Sequence, residues 1–248
     1  MDDDYGAATY GDRIADVYDT WYGTTRLSDP QTTAGVLAEL ANGGPALELG
    51  IGTGRVALPL VAKGVPVHGI DASEPMVNKL RAKPGGGDIP VSIGDFADVA
   101  VEGEFSLVYV VFNTLLSLLT QQDQVRCFGN VAQRLRPAGV FVLEAFVPDL
   151  TRFDRGQRTE TGEVGTDHVI LDHSVHHPAE QRVDSMHIVV RASGSTLYPV
   201  KLRYAWPSEL DLMAQLAGLR LRHRWGGWDR SPFTDESTGH VSVWERLN

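Results

Sequence analysis

The sequence contains a single cysteine, Cys127, among its 248 residues. One thiol cannot form an internal disulfide, so a disulfide framework is excluded. No apolar run approaches the ~20 residues that cross a bilayer, and the acidic start MDDDYGAATYGD lacks the basic and apolar regions of a signal peptide. These absences predict a cytoplasmic protein with no membrane partner.

Positive charge is also scarce. The chain has 22 Lys and Arg against 32 Asp and Glu, a formal net charge of −10. Its most basic stretch, RLRHRWGGWDR (220–230), is interrupted by an acid and by glycines. Proteins that bind nucleic acids present a basic surface to the phosphates, so we predict no nucleic-acid partner. The 42% hydrophobic content is enough for a substantial core.

Strand-like and helix-like segments alternate through the first 146 residues. The predicted strands are 45–50, 65–71, 88–96, 105–113 and 140–146. The predicted helices are 14–22, 30–41, 57–64, 73–83 and 121–139. Such alternation implies right-handed crossovers and a parallel sheet, because each helix returns the chain to the same sheet edge.

The pattern changes after Pro148. Three polar, β-prone runs at 167–177, 181–191 and 198–206 predict antiparallel strands, and a helix and two closing strands follow at 207–218, 219–227 and 240–247. We therefore predict an α/β fold with a doubly wound, mostly parallel seven-stranded sheet, helices on both faces and an antiparallel β insert after strand 5. The predicted parts are a helical cap (1–45), a ligand-binding core (46–149), the insert (150–204) and a C-terminal part of the core sheet (205–248).

Three glycines, Gly50, Gly52 and Gly54, stand two residues apart directly after the first predicted strand. Glycine loses much conformational freedom on folding, so such a cluster indicates a backbone that something must approach closely. In a doubly wound sheet the first strand-to-helix turn is a common ligand anchor. The G-x-G-x-G spacing differs from the G-x-G-x-x-G of dinucleotide sites, and a tight turn without a ligand stays open for the glycines alone.

Acidic residues accompany the glycines at the strand ends. Glu48 lies inside the first strand, which is a costly place for a charge without a task. Asp71 ends the second strand, where a carboxylate can accept hydrogen bonds from both ribose hydroxyls. Asp95 and Phe96 follow the third strand, where an acid can bind an adenine amino group and a ring can lie along the base. An NAD site would also place an acid after the second strand, but the glycine spacing and the third-strand acid disfavour it.

Four segments together resemble the class I S-adenosylmethionine-dependent methyltransferases: ELGIGTGR (48–55), GIDASEPM (69–76), GDF (94–96) and RLRPAGVFVLEAF (134–146). The resemblance covers about residues 45–146 and implies a Rossmann-like fold with S-adenosylmethionine as cofactor. It implies Gly50, Gly52 and Gly54 at the methionine part of the cofactor, Asp71, Ala72 and Met76 at the ribose, Asp95 and Phe96 at the adenine, and Glu48 at the loop or at the cofactor ammonium. A helix-capping role for Asp71 is the alternative.

The N-terminal segment YDTWYG resembles the Y-D-x-x-Y segment of small-molecule methyltransferases, in which a helix closes over the cofactor. On this basis Tyr10 and Tyr18 are candidate catalytic residues at the acceptor, and Tyr22 and Arg26 are candidate cofactor contacts. Phe112, after the fourth strand, is the third catalytic candidate because it would lie by the cofactor. Simple aromatic packing against the sheet remains open for the tyrosines, and a core position for Phe112.

Methyl transfer asks the protein mainly for alignment and a water-poor site, and an amine acceptor needs only a neutral lone pair. A hydroxyl acceptor needs a base or a metal as well. The segment FNTLLSLLT (112–120) carries no histidine and is not the N/D-P-P-Y/F motif of enzymes that methylate base amines. We therefore predict methyl transfer to an amine of a small secondary metabolite, such as an antibiotic or amino-sugar intermediate. O-methyl transfer and a non-catalytic cofactor-binding module are the alternatives.

Five histidines fall in the predicted insert: His168, His173, His176, His177 and His187. No metal-binding spacing is present, so we expect them on an exposed or subunit-facing sheet and predict no metal site. A grouping of Glu144, Asp149 and Asp172 is the alternative for a metal. We expect the insert to act as a lid or as a pairing surface for a homo-oligomer. Trp225, Trp228 and Phe233 either wall the acceptor pocket or pack within the last hairpin.

Overall fold

The computed structural model describes residues 5–22 and 29–247 of the chain. The α-helices are α1 (Thr9–Ile14), α2 (Tyr18–Tyr22), α3 (Pro30–Ala41), α4 (Ala57–Ala62), α5 (Glu74–Arg81), α6 (Gln121–Arg134) and α7 (Pro207–Leu216). The strands are β1 (Ala46–Leu49), β2 (Val67–Asp71), β3 (Val91–Ile93), β4 (Phe105–Val110), β5 (Leu135–Phe146), β6 (Gln157–Val164), β7 (His168–His177), β8 (Arg182–Arg191), β9 (Gly194–Arg203), β10 (Leu219–Trp225) and β11 (Gly239–Arg246). Within the described residues, no helix is both long and apolar enough to span a bilayer.

The main sheet has seven strands in the order β10-β11-β5-β4-β1-β2-β3. Strands β1 to β5 pair in parallel, and β11 runs antiparallel between β5 and β10. This confirms the predicted doubly wound, mostly parallel sheet. The strand order reverses between β1 and β4, and in such folds a ligand crevice lies beyond the carboxyl ends of the strands at that point.

An apolar layer covers each face of the sheet. Phe128, Phe141 and Trp244 pack on one face with ring centroids 5.1 to 5.9 Å apart. Leu60 and Leu107, both fully buried, belong to the layer on the other face. Burial of each such side chain stabilises the fold by about 1.5–3 kcal/mol, so the sheet is a rigid support for residues at its edge.

The structure differs from the predicted elements most clearly in two helices and one strand. Helix α6 ends at Arg134 instead of continuing to 139, because Pro137 lacks an N–H and disfavours a helical residue before it. The predicted helix 14–22 is two helices, α1 and α2, separated by a turn at residues 15–17. Strand β6 was not predicted, because its sequence QRTETGEV is almost wholly exposed and has no apolar alternation.

The insert is a four-stranded antiparallel sheet in the order β6-β7-β8-β9. Arg203 at the end of β9 is only 5% exposed and anchors the insert to the core. Its Nη1 donates to Gln124 Oε1 on α6 at 2.6 Å, and its Nη2 donates to Glu209 Oε1 on α7 at 2.8 Å. The inner end of the insert is thereby fixed beside the carboxyl edge of the main sheet.

Candidate active site

A cavity of about 380 Å³ lies between the carboxyl ends of the central strands, the cap helices α1 and α2, and the insert. Its wall contains most of the predicted site residues: Tyr10, Tyr18, Tyr22, Glu48, Gly50, Gly52, Asp71, Ala72, Met76, Asp95, Phe96 and Phe112. Gly54 is not part of the wall, and Arg26 lies outside the described residues. The sequence motifs and the cap therefore meet in one space.

The glycine loop after β1 has a backbone that side chains would disturb. Gly50, Gly52 and Gly54 have φ values of 71°, 54° and 77°, in the left-handed region that favours glycine. A Cβ at Gly50 would lie 2.5 Å from Thr114 Cγ2. At Gly54 a Cβ would collide with Leu80 of α5, so this third glycine serves helix packing rather than the cavity wall.

Asp71 joins the glycine loop to the start of α5. Its Oδ2 accepts the Gly52 N–H at 2.7 Å and its Oδ1 accepts the Ser73 N–H at 2.8 Å. Burial raises the pKa of Asp71, and these two N–H groups act in the opposite direction. The N-cap of α5 is Ser73, whose Oγ accepts from Met76 N. Asp71 is also part of the cavity wall, and a carboxylate can accept more hydrogen bonds than these, so the group fits a hydroxyl-bearing ligand.

Glu48 is 2% exposed, below the glycine loop. Burial raises its pKa to about 8, although the Tyr109 hydroxyl, which donates to Oε2 at 2.9 Å, and the Arg55 charge both lower it. The carboxyl is therefore largely protonated at neutral pH in the cofactor-free protein. A ligand cation beside it would favour the ionised form, so this group fits an ammonium partner.

The three cap tyrosines form a connected cluster of neutral phenols. Tyr10 hydrogen-bonds to Tyr22, and Tyr18 hydrogen-bonds to the Arg55 guanidinium. Burial raises the pKa of Tyr18 to about 12 and holds that of Tyr10 well above its usual value. The Tyr22 ring lies 5.0 Å from Tyr18 and 5.1 Å, edge-on, from Phe112. These hydroxyls stay protonated near pH 7 and can donate or accept hydrogen bonds.

Phe112 is held in an unusual backbone conformation. Phe112 and Asn113 have φ values of 58° and 62°, which cost about 1–3 kcal/mol each for non-glycine residues. Glu144 Oε2 accepts the Phe112 N–H at 2.8 Å, and Asn113 Oδ1 accepts the Phe146 N–H at 2.7 Å. The Arg55 guanidinium carbon lies 5.3 Å from the Phe112 ring centroid. The surrounding groups thus fix this ring at the cavity, and sequence reasoning had missed both Glu144 and Arg55 in this role.

The cap is tied to the glycine loop and to the two ends of α5 by polar contacts that the sequence analysis also missed. Ser73 Oγ donates to Asp12 Oδ1 at 2.7 Å, and Thr53 Oγ1 donates to Asp19 Oδ1 at 2.6 Å. Lys83 lies 2.8 Å from the second oxygen of Asp19. We call these three contacts the cap clasp. The acid of the Y-D-x-x-Y segment, Asp19, was the available signal.

The aromatic loop near the C-terminus lies apart from the cavity. Trp225, Trp228 and Phe233 are absent from the cavity wall. Trp228 is 4% exposed and packs in the apolar layer that contains Leu60, while Trp225 stacks on His223 with ring centroids 5.2 Å apart. Of the two alternatives for these rings, the structure supports packing.

The histidines of the insert do not all face away from the site. His187 is part of the cavity wall and its Nδ1 contacts Asp172 Oδ1, which differs from the expected exposed or subunit-facing placement. This position of His187 could not be predicted from the sequence, because it depends on contacts between the insert and core residues that are far away along the chain. Among residues 5–22 and 29–247, no group of three or more His, Cys, Asp or Glu side chains could hold a metal ion. Glu144, Asp149 and Asp172 therefore do not form the grouping that we considered.

Residues 46–139 match the family model described as a methyltransferase domain. Strands β1 to β4, the glycine loop and the acid at the end of β2 lie within that span. A solved structure, the CcbJ methyltransferase from Streptomyces caelestis, is 42% identical, with 98% of this chain and 100% of that chain covered at a TM-score of 0.92. The chain therefore belongs to the class I S-adenosylmethionine-dependent methyltransferases, and S-adenosylmethionine is its cofactor.

Two further relatives extend the comparison. The cypemycin N-terminal methyltransferase of a Streptomyces species is 28% identical over 206 residues, which cover 83% of this chain and 84% of that protein. The S-adenosylmethionine-bound structure of CalS10, an amino pentose methyltransferase from Micromonospora echinaspora, is 21% identical and covers 93% and 97% of the two chains. Its TM-score of 0.68 indicates a shared fold.

Proposed function

We propose that this methyltransferase transfers the methyl group to an amine of a small natural-product intermediate, such as an antibiotic or amino-sugar precursor. The main support is the aromatic part of the cavity wall, formed by Tyr10, Tyr18, Tyr22 and Phe112. Neutral phenol oxygens accept hydrogen bonds from N–H groups, and aromatic faces attract cations. Such a wall orients an amine and favours the positive charge that moves onto its nitrogen.

The charge of the wall also supports cationic ligands. Three carboxylates line the cavity, from Asp71, Asp95 and Asp123, against two cations, Arg55 and Lys201, and Glu48 adds a fourth carboxylate once a bound cation favours its ionised form. A cleft lined by an excess of one sign concentrates ligands of the opposite sign. Both the cofactor sulfonium and a protonated amine carry positive charge, whereas a neutral hydroxyl acceptor gains nothing from this field.

The bound cofactor supplies an activated methyl group on a sulfonium, and the chain supplies binding, orientation and exclusion of water. We assign Gly50 and Gly52 to the methionine part, Glu48 to its ammonium, Asp71, Ala72 and Met76 to the ribose, and Asp95 and Phe96 to the adenine. We assign Tyr10, Tyr18 and Phe112 to alignment of the acceptor, with Tyr22 between them and the cofactor. Arg26 stays an expectation outside the described residues.

We also propose that the insert selects the acceptor, since Val200 and Leu202 of β9 contribute to the cavity wall. Strand β9 contacts α1, and its Lys201 N–H donates to the hydroxyl of Tyr5, which precedes α1, at 3.1 Å. We propose in addition that the chain divides into the cap (1–45), the core (46–149), the insert (150–204) and the C-terminal part of the core sheet (205–248). We also propose that two copies pair through the insert and that the protein is cytoplasmic.

A panel of acceptors tests the proposed reaction. Purified protein with S-adenosylmethionine is offered amino sugars, peptides with free amino termini and matched hydroxyl compounds, and S-adenosylhomocysteine and product mass are measured. We expect methyl transfer to amines and no change on addition of a chelator. Transfer to hydroxyls alone would instead identify an O-methyltransferase. Calorimetric cofactor binding without any transfer would favour a binding module.

Because the pKa of Glu48 is raised, we expect cofactor binding to release a proton. At about pH 6.5 the cofactor α-amine is protonated, and Glu48, with a pKa of about 8, is protonated in the free protein. Pairing with the ammonium lowers that pKa, so binding releases a proton and affinity rises as the pH increases toward 8. Calorimetry in buffers of different ionisation enthalpy measures the release. Glu48→Gln should bind more weakly without this proton release, and equal release by both proteins would contradict the pairing.

A further inference from the structure

His187 lies on β8 of the insert and forms part of the cavity wall. In the β7–β8 pairing, Asp172 and His187 are directly opposite each other, so their side chains share one face of the insert sheet. His187 Nδ1 contacts Asp172 Oδ1, while its Nε2 has no hydrogen-bond partner among residues 5–22 and 29–247. A carboxylate on Nδ1 fixes the tautomer that leaves a lone pair on Nε2.

A continuous row of rings connects His187 to Phe112. The His187 ring lies 6.2 Å from Trp21, Trp21 lies 6.5 Å from Tyr22, and Tyr22 lies 5.1 Å from Phe112, all between centroids and all edge-on. The Asp172 charge also reaches the Tyr22 hydroxyl, whose pKa burial raises and Asp172 raises further. His187 is therefore part of the same aromatic chamber that we assign to the acceptor, and Asp172 holds it from behind the wall.

An amine acceptor brings a requirement that the aromatic wall does not meet. Near pH 7 a free amine carries an extra proton and has no lone pair to attack with. The phenols of Tyr10 and Tyr18 are poor proton acceptors, because burial raises the pKa of each and each is already protonated. Glu48 is nearly fully buried under the glycine loop and accepts the Tyr109 hydroxyl. The side chains of His187 and Asp172 are 25% and 33% exposed, which allows exchange with solvent.

We propose that His187, held by Asp172, takes the proton that the acceptor ammonium must lose before methyl transfer. This proposal rests on the proposed N-methylation. The N–H bond breaks, its proton goes to Nε2, and its electron pair stays on nitrogen. The nitrogen then bonds to the methyl carbon as the carbon–sulfur bond breaks, and that electron pair stays on sulfur. The imidazolium afterwards gives its proton to water, while Asp172 stabilises its charge.

The groups around His187 are few and mostly aromatic. Along the same sheet row, Tyr198 on β9 is directly opposite His187, and Glu160 on β6 is directly opposite Asp172. Glu160 is ion-paired with Arg158. Trp21 and Tyr22 face the pair from α2, with the Tyr198 ring 4.9 Å from Trp21. Asp172 is therefore the carboxylate in direct contact with the imidazole.

The test compares His187→Gln with wild type on the best amine from the panel. Loss of a general base typically lowers the reaction rate by about 100-fold or more, so we expect kcat/KM to fall by about that factor at about pH 6.5. By about pH 9.5 water has removed the amine proton, and we expect the deficit to shrink to about 5-fold or less. Cofactor affinity should be unchanged, and added imidazole should partly restore His187→Ala.

The matched control is His173→Gln. His173 is the neighbour of Asp172 on β7, points to the other face and bonds to Thr159 Oγ1 at 2.9 Å, so we expect wild-type activity at both pH values. An equal deficit of His187→Gln at low and high pH, or no deficit, would overturn the role of His187 while N-methylation stands. A wild-type protein that methylates no amine would overturn both proposals.

Discussion

Replacement of Asp71 by alanine is expected to weaken S-adenosylmethionine binding by roughly 10- to 100-fold. Hydrogen bonds to a charged group contribute about 1.5–3 kcal/mol, and each 1.4 kcal/mol is about tenfold in affinity. The variant loses the ribose acceptor that we propose and also the contacts of both oxygens with the Gly52 and Ser73 N–H groups. Calorimetry with S-adenosylmethionine measures the change.

A deoxygenated cofactor separates the two effects of Asp71. Wild type should bind the 2′,3′-dideoxy form of S-adenosylhomocysteine more weakly than S-adenosylhomocysteine itself. If Asp71 accepts from the ribose hydroxyls, this difference should vanish in Asp71→Ala, because the acceptor is gone. If the same difference persists in the variant, Asp71 only anchors the loop and the ribose assignment fails.

Gly50→Ala should abolish measurable cofactor binding and lower the free energy of unfolding. At a φ of 71°, alanine costs roughly 1–2 kcal/mol in backbone energy. Its Cβ would also lie 2.5 Å from Thr114 Cγ2, so the loop or the segment after β4 must shift. Both line the cavity, and the shift would displace the backbone that we assign to the methionine part. Calorimetry and thermal unfolding measure the two losses.

Two comparisons isolate the steric part of the Gly50 effect. Gly64, beyond α4, has a φ of 85° and open space where its Cβ would be, so Gly64→Ala carries the backbone cost alone. Thr114→Ser removes the clashing methyl group, so adding it to Gly50→Ala should restore part of the cofactor binding. Wild-type cofactor binding by Gly50→Ala, as expected of Gly64→Ala, would refute the close contact.

The main sheet could be predicted because its signals are local. Strands β1, β2 and β4 are apolar runs that each lead through a turn to a helix, and the crossover rule then limits the topology. Strand β6 escaped prediction because an exposed strand needs no apolar alternation. The break between α1 and α2 could not be predicted, because residues 15–17 contain no glycine or proline that would mark the end of a helix.

The candidate site divides in the same way. The glycines and Asp71 follow their strands directly, so their place at the sheet edge could be inferred from the sequence. Glu144 supports Phe112 across 32 residues, and His187 arrives on an insert whose docking depends on the buried Arg203. An acid within the apolar run VFVLEAF was the available clue for Glu144, as it was for Glu48 in β1.

The cap clasp bears on the rate of turnover. Asp12 fastens α1 to the start of α5, and Asp19 fastens α2 to the glycine loop. If the nucleoside binds beneath this cap, as we propose, the spent nucleoside leaves only after these contacts open. We therefore expect the frequency of that opening to set a ceiling on turnover that faster chemistry does not raise, as lid opening does in many enzymes.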